Sequence, residues 1–295
     1  MKGVGWYLRM ADRLMEKEAA KLKILKAFKS KVQGVKPSPE DLKRNFDGSE
    51  GHWLEKKLGK KPDASNEADF WGYECKNDTG LKTSWGDWTP TYSIYHDDRF
   101  FTGKKKQDQF VKVFGRRNPQ KNNRYSWSGT PVPTRCGDVS PFGQSLELGS
   151  NKDISIYYDF SQDKRPDKSS VVLPALQKNK LLLMRWHGYE TSFQSFKKNV
   201  LVNNLSIFIH SKKKSLELKV KDKFGIHGWF KCIKKNGHYV GIEFGDALDF
   251  LEWISYFESG DIYFDTGMYV GNPRPYCQWR SNNSFWKSLV TDTYP

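Results

Sequence analysis

The segment EADFWGYECKN places an aspartate, Asp69, ahead of a glutamate, Glu74, with a lysine, Lys76, one residue beyond Cys75. Along a β-strand successive side chains alternate between faces, so Glu74 and Lys76 share one side while Cys75 points into the sheet. Two carboxylates and an ammonium suit hydrolysis of a phosphodiester. Asp69 and Glu74, with the backbone carbonyl of Cys75, offer hard oxygen ligands for an octahedral Mg2+ that would bind a phosphate oxygen and an attacking water. Lys76 beside that water would orient it, assist its deprotonation electrostatically and stabilise charge developing on phosphorus. No covalent intermediate is implied. Taken alone, D-x4-E-x-K is a weak signal, because E-x-K recurs on exposed strands of Lys-rich chains and a solvated strand face is its default reading.

The elements that must position these residues follow from periodicity. Residues 6–33 lack Pro and Gly and set Leu8, Leu14, Leu22, Leu25 and Phe28 near helical spacing, which predicts a helix stopped by Gly34, Pro37 and Pro39. Ser38-Pro39-Glu40 is a start signal for a second, short helix. A third, over 49–58, carries Trp53, Leu54 and Leu58 on one side and ends at Gly59. FWGYECK and TPTYSIYH read as strands joined by the turn-rich GLKTSWGDW. Residues 116–143 are crowded with Asn, Pro, Arg, Gly and Ser and read as long loops, of the kind that often carry function. Further strands are predicted at 153–160, 180–187, 205–211, 215–222 and 227–244, the last with an Asn236-Gly237 hairpin turn. ALDFLEWISYFESG is an amphipathic helix, and DIYFDTGMYVG is a strand after it. The order is mixed α/β, without repeats or a linker, which predicts one domain over 1–295.

Composition narrows the partner. Lys plus Arg outnumber Asp plus Glu by 49 to 34 in 295 residues, a formal charge of +15 that favours a polyanion, nucleic acid first. A membrane surface is the competing polyanion, but no apolar run has the length of a span. The N-terminal MKGVGWYLRMADRL shows no secretory h-region, so a cytoplasmic location is expected. Cys75, Cys136, Cys232 and Cys277 are far apart with no CxxC pair, and are expected as free thiols. The 11 Trp belong first to the core and its rim, with base stacking the sharper alternative.

The flanks of the triad carry a resemblance. PEDLKRNFDGSEGHWLEKKLG followed by ADFWGYECK resembles the motif pair of the MvaI and BcnI restriction endonucleases and of the MutH-like branch of the PD-(D/E)xK nucleases. Gly51, Leu54, Glu55, Leu58 and Gly59 match the helix G-x-x-L-E-x-x-L-G that precedes D-x(n)-E-x-K there. The likeness continues through TYSIYH, KVFGR, KNVLVNNLSIFIHS and FESGDIYFDTGMYVG in the family's order. It implies an α/β restriction-endonuclease-like core, a mixed sheet flanked by helices, with a MutH-like cleft between a catalytic and a DNA-recognition lobe. It implies Glu55 as the acid from the helix, Asp69 and Glu74 as metal ligands, Lys76 as the catalytic lysine and Mg2+ as cofactor. Without the resemblance, a helical Glu among lysines is a solvated charge.

The resemblance extends to DNA contacts. His96 stands where the BcnI branch has a histidine, although a lone His at a strand end is as readily an ordinary surface residue. Lys104, Lys105, Lys106, Lys112, Arg116 and Arg117 form a basic cluster suited to phosphates, and either arginine also suits a guanine edge. Lys212–Lys214 and Lys234–Lys235 read as solvated turns. Arg280 matches a family arginine, but the preceding histidine is missing and Pro273, Arg274 and Tyr276 depart from the pattern. Arg274 and Arg280 are expected to touch DNA without assigned bases. The activity so implied is that of a type II restriction endonuclease on double-stranded DNA, with a cognate DNA methyltransferase as genetic partner and either one chain or a homodimer at work. A MutH-like repair nickase and an inactive DNA-binding module stay open beside it.

Overall fold

A computed structural model of the chain describes residues 4–42, 48–61, 65–202 and 213–295. The chain folds into two compact units, the first from Met1–Thr83, Val220–Asp249 and Asn282–Pro295, the second from Ser84–Lys219 and Phe250–Ser281. Because the backbone enters the first unit three times and the second twice, no single stretch of sequence reads as a linker.

In the first unit the helix Val4–Lys31 turns Ala20, Ile24 and Phe28 inward at four-residue spacing, and Val32 follows them into the core. Gly34, at φ +78°, ends it and donates its N–H to the carbonyl of Tyr239 at 2.7 Å. The predicted second helix is a turn through Leu42. Ser38 and Asp41 bond each other's backbone N–H at 3.0 and 3.1 Å, so the start signal closes on itself as a local side-chain turn. Ser49–Leu58 is helical as expected, with Trp53, Leu54 and Leu58 buried and a left-handed Gly59 donating to the Glu55 and Lys56 carbonyls.

These helices pack on a four-stranded mixed sheet. Tyr73–Asn77 runs parallel to Gly228–Lys235, which returns antiparallel as His238–Gly245 and pairs onward with Val290–Tyr294. Asn236 and Gly237, at φ +55° and +81°, make the hairpin turn that their types predict. Phe28, Leu54, Tyr73, Phe230, Tyr239 and Phe244 form the core beneath the strand of Glu74 and Lys76. Fully burying each such side chain stabilises by roughly 1.5–3 kcal/mol. Trp53 stacks on Tyr239 with ring centroids 5.6 Å apart.

The segment 215–222, expected as a strand, is a helix, Leu216–Phe224. Leu216, Leu218 and Val220 alternate, which mimics a strand, but the residues that reach the core are Leu216, Val220 and Phe224, one turn apart.

The second unit holds an antiparallel sheet of Tyr92–Ser93, Leu181–Trp186, Ile154–Asp163 and Phe142–Leu148. Of TYSIYH only Tyr92–Ser93 is strand, and Ile94–His96 closes as a 3-10 turn. The stretch 116–143 is not all loop: Arg116–Asn118 and Arg124–Trp127 pair with each other, and Met268–Tyr269 extends that small sheet. Phe250–Glu258 is the amphipathic helix expected, and Tyr263–Thr266 pairs with Cys277–Asn282. The strand expected at 205–211 lies outside the described residues. All four cysteines are free, and Cys75, Cys232 and Cys277 are buried. Among the described residues no helix is long and apolar enough to cross a membrane.

Candidate active site

A two-residue reversal sets the spacing of the acids. Phe70 and Tyr73 exchange backbone hydrogen bonds at 2.9 and 2.8 Å around Trp71 and Gly72, whose φ values of +46° and +87° are those of a primed hairpin turn. Gly72 is required there, because a Cβ would come within 2.6 Å of Ile226 and 2.7 Å of His227. The reversal folds Asp69 back beside the strand, where its Oδ2 accepts the Cys75 N–H at 3.0 Å. Four intervening residues therefore suffice to join an acid outside the strand to one inside it.

Glu74 and Lys76 lie on one face of the strand and are buried, at 3% and 7% exposure. Lys76 Nζ is 2.9 Å from Glu74 Oε1 and stands 5.2 Å over the Phe224 ring and 5.9 Å over Trp286. A second ammonium that the sequence did not point to, Lys223, also reaches Glu74 Oε1 at 2.9 Å. A third, Lys60, donates to Asp69 Oδ1 at 2.9 Å. Glu74 Oε2 is buried with no hydrogen-bond partner. Cys75 is buried beneath, where burial pushes its thiol well up, and it is its backbone N–H that meets Asp69.

The electrostatics follow from this packing. Burial, reinforced by the carboxylates of Asp69 and Glu74, raises Glu55 to about 7. Burial also works against ionised Asp69, but the Lys60 hydrogen bond, the Lys223 charge and the Cys75 N–H outweigh it and hold the group below its ordinary value. Burial drives Glu74 up and Lys76 down, each against the pull of the other's charge. Lys223 is buried too, yet the charge and hydrogen bond of Glu74, with Asp69 and Glu55 behind, keep it above its ordinary value. Three acids, Glu55, Asp69 and Glu74, thus influence one another within a net of three lysines. Among the described residues no group of three or more His, Cys, Asp or Glu is set to hold a metal ion. The ammonium groups of Lys60, Lys76 and Lys223 engage Asp69 Oδ1 and Glu74 Oε1, which leaves Glu74 Oε2 as the carboxylate oxygen open to an ion.

The basic residues fall elsewhere, in the second unit. A cavity of about 890 Å3 is lined by Tyr95, His96, Lys105, Lys106, Lys213 and Arg274, among others. Four residues singled out from sequence for DNA, His96, Lys105, Lys106 and Arg274, are therefore brought together. Lys106 pairs with Asp98, and Arg274 donates to Asp87 at 2.7 Å. Lys213 is no solvated turn: its ammonium donates to the Pro90 carbonyl at 2.7 Å, and burial pushes it down to about 8. Lys234 likewise pairs with Glu50 at 2.7 Å. Lys104 is exposed. Arg116, Arg117 and Arg280 do not line the cavity. Arg116 and Arg117 are exposed on their short strand, Arg117 over the Tyr125 ring at 4.7 Å. Arg280 is held by Asp265 at 3.0 Å and by Gln278.

Comparison with known proteins identifies the fold and the family. The chain is 39% identical over 282 residues to the type II restriction enzyme ScrFI of Lactococcus lactis subsp. cremoris, covering 93% of this chain and 98% of that one. Its fold is similar to that of the restriction endonuclease MvaI in complex with its cognate DNA substrate, at a TM-score of 0.50 and 12% identity, over 94% of this chain and 97% of the other. That likeness establishes the α/β restriction-endonuclease-like fold, a mixed sheet flanked by helices. The profile of the LlaMI restriction endonucleases matches residues 32–294, and with nearly the whole chain so matched, the protein belongs to the LlaMI restriction endonuclease family.

Proposed function

We propose that Asp69, Glu74 and Lys76, with Glu55, form the Mg2+-dependent cutting centre of this type II restriction endonuclease. The activity is cleavage of double-stranded DNA, and the finer reading is hydrolysis at a short specific site. The observation that carries it is the buried, partnerless Oε2 of Glu74 beside two further carboxylates, since a bare carboxylate oxygen away from water is costly and a bound cation would satisfy it. Asp69 and Glu74 would hold the ion with the Cys75 carbonyl. Bound there, it would supply Lewis-acid activation of the scissile phosphate and its water.

The chain's own groups do the rest. Lys60 and the Cys75 N–H hold Asp69 ionised. Lys76, donor-only and backed by two aromatic faces, presents positive charge where an oxyanion develops. Glu55, close to half-protonated near neutrality, is suited to take up a proton released beside it. The cavity of His96, Lys105, Lys106 and Arg274, with Lys104, Arg116, Arg117 and Arg280, supplies contacts to the phosphates and base edges of the duplex. On this reading the whole chain is one endonuclease, its first unit the catalytic lobe and its second the recognition lobe. Its host requires a cognate DNA methyltransferase to protect the same sites.

Plasmid cleavage by purified protein tests this. Chelation with EDTA is expected to stop it and Mg2+ to restore it. Glu74→Ala and Lys76→Ala are each expected to lower it by at least about 10²-fold while duplex binding survives. Undiminished cleavage by both variants would sink the assignment.

A further inference from the structure

We propose that Lys223 is a positioning residue of this centre: it is the standing counter-ion of Glu74, and it frees Lys76 to serve the reacting phosphate. The inference rests on the reading of Asp69, Glu74 and Lys76 as the cutting centre. Both ammonium groups reach the same oxygen, Glu74 Oε1, at 2.9 Å. Were Lys76 the sole partner, any movement toward a phosphate would strand a carboxylate that is only 3% exposed, and an uncompensated buried charge opposes such movement strongly. With Lys223 in place Glu74 stays neutralised while Lys76 is elsewhere. Because Lys223 takes Oε1, Oε2 is left bare on the same carboxylate.

The two ammonium groups are seated differently. Lys76 stands over the faces of Phe224 and Trp286, a surface along which an ammonium exchanges partners without leaving its electrostatic well. Lys223 comes from a helix tied down around it: the Asp222 carbonyl accepts the Ala68 N–H at 3.0 Å, the Lys221 carbonyl accepts that of Gly225 at 2.9 Å, and Val220 and Phe224 are buried in the core. Both lysines stand on fixed backbone, and it is the ring faces beneath Lys76 that suit it to exchange.

Lys223→Met keeps the length of the side chain and removes its charge. Single-turnover cleavage in Mg2+, Mn2+ binding followed by electron paramagnetic resonance, and duplex binding in EDTA are measured on it, on Lys223→Arg and on Glu74→Gln. For Lys223→Met, cleavage is expected to fall on the order of 10²-fold, with Mn2+ bound no more weakly than by the wild type and duplex binding within about threefold. Lys223→Arg is expected to recover most of the rate. Cleavage by Lys223→Met within about threefold of wild type overturns the proposal. So does a parallel loss of rate and Mn2+ affinity, which is the mark of a scaffold residue. Should Lys223→Met lose its cooperative melting transition, Lys223→Gln takes its place, and an Arg variant no more active than the Gln variant overturns the idea. Glu74→Gln separates the two levels: if it cleaves normally the centre itself is misassigned, whereas an inactive Glu74→Gln beside a fully active Lys223→Met removes only the role of Lys223.

Discussion

In a carboxylate as enclosed as Glu74, burial opposes the charge that two ammonium groups favour, and this arrangement is only half visible in the sequence. Glu74 and Lys76 are legible because one strand carries both and alternation fixes their common face. Lys60 and Lys223 are not, because nothing local to either residue marks it as the partner of an acid that only the tertiary fold brings near. Glu55 needed the resemblance, since a helical Glu among lysines is ordinarily solvated, and here it is partly buried near two other acids. Its raised affinity for a proton has a measurable sign. The folded chain binds this proton more tightly than the unfolded chain, so Glu55 removes stability as pH climbs from the ordinary carboxylate range through about 7, and the loss is complete above that. In EDTA, Glu55→Gln is therefore expected to be more stable than wild type at pH 8, by about 1–2 kcal/mol after discounting for partial exposure. The gap should shrink toward pH 5. Denaturant midpoints at the two pH values check this, and a gap of constant size contradicts it.

At the scale of elements, the reversal at Trp71-Gly72 joins the two acids. The strand begins at Tyr73 and not at Phe70, and Asp69 meets the Cys75 N–H only because the chain doubles back. Gly72→Ala combines a positive φ with a Cβ pressed against Ile226 and His227, and is expected to cost about 1–3 kcal/mol in stability. Its cleavage rate should fall further than its DNA binding, because the shifted turn carries Asp69 and not the cavity residues. Equal losses in both, or wild-type melting, would show that the turn is not under this constraint. The misread element, Leu216–Phe224, shows where pattern reading failed. Alternation over a short span of leucine and valine fits a strand as well as a helix, and only Phe224, just beyond the segment 215–222, discloses the helical spacing. That helix delivers Lys223, so the missed element and the missed residue are one error.

For the whole molecule, the +15 charge foretold a polyanion, and the family places that polyanion as DNA. The order of units was not legible because the chain weaves between them at Thr83, Lys219, Asp249 and Ser281 without a change in composition. His96, Lys105, Lys106 and Arg274 are scattered in sequence, and their shared cavity was beyond any local pattern. Neutralising Lys105 or Arg274 should weaken duplex binding and flatten the dependence of log affinity on log salt by about 0.9 for each phosphate that is no longer neutralised. Binding isotherms across a salt series read this out, and an unchanged slope removes the residue from the interface. The central claim, that this protein cuts duplex DNA at a specific site through Asp69, Glu74 and Lys76, is tested most directly by sequencing the ends of plasmid DNA digested in Mg2+ by wild type and by Glu74→Gln, side by side. Wild type is expected to leave ends that share one short sequence, and Glu74→Gln to leave the plasmid intact while still binding it. Ends without common sequence, or the same ends produced by Glu74→Gln, would contradict it.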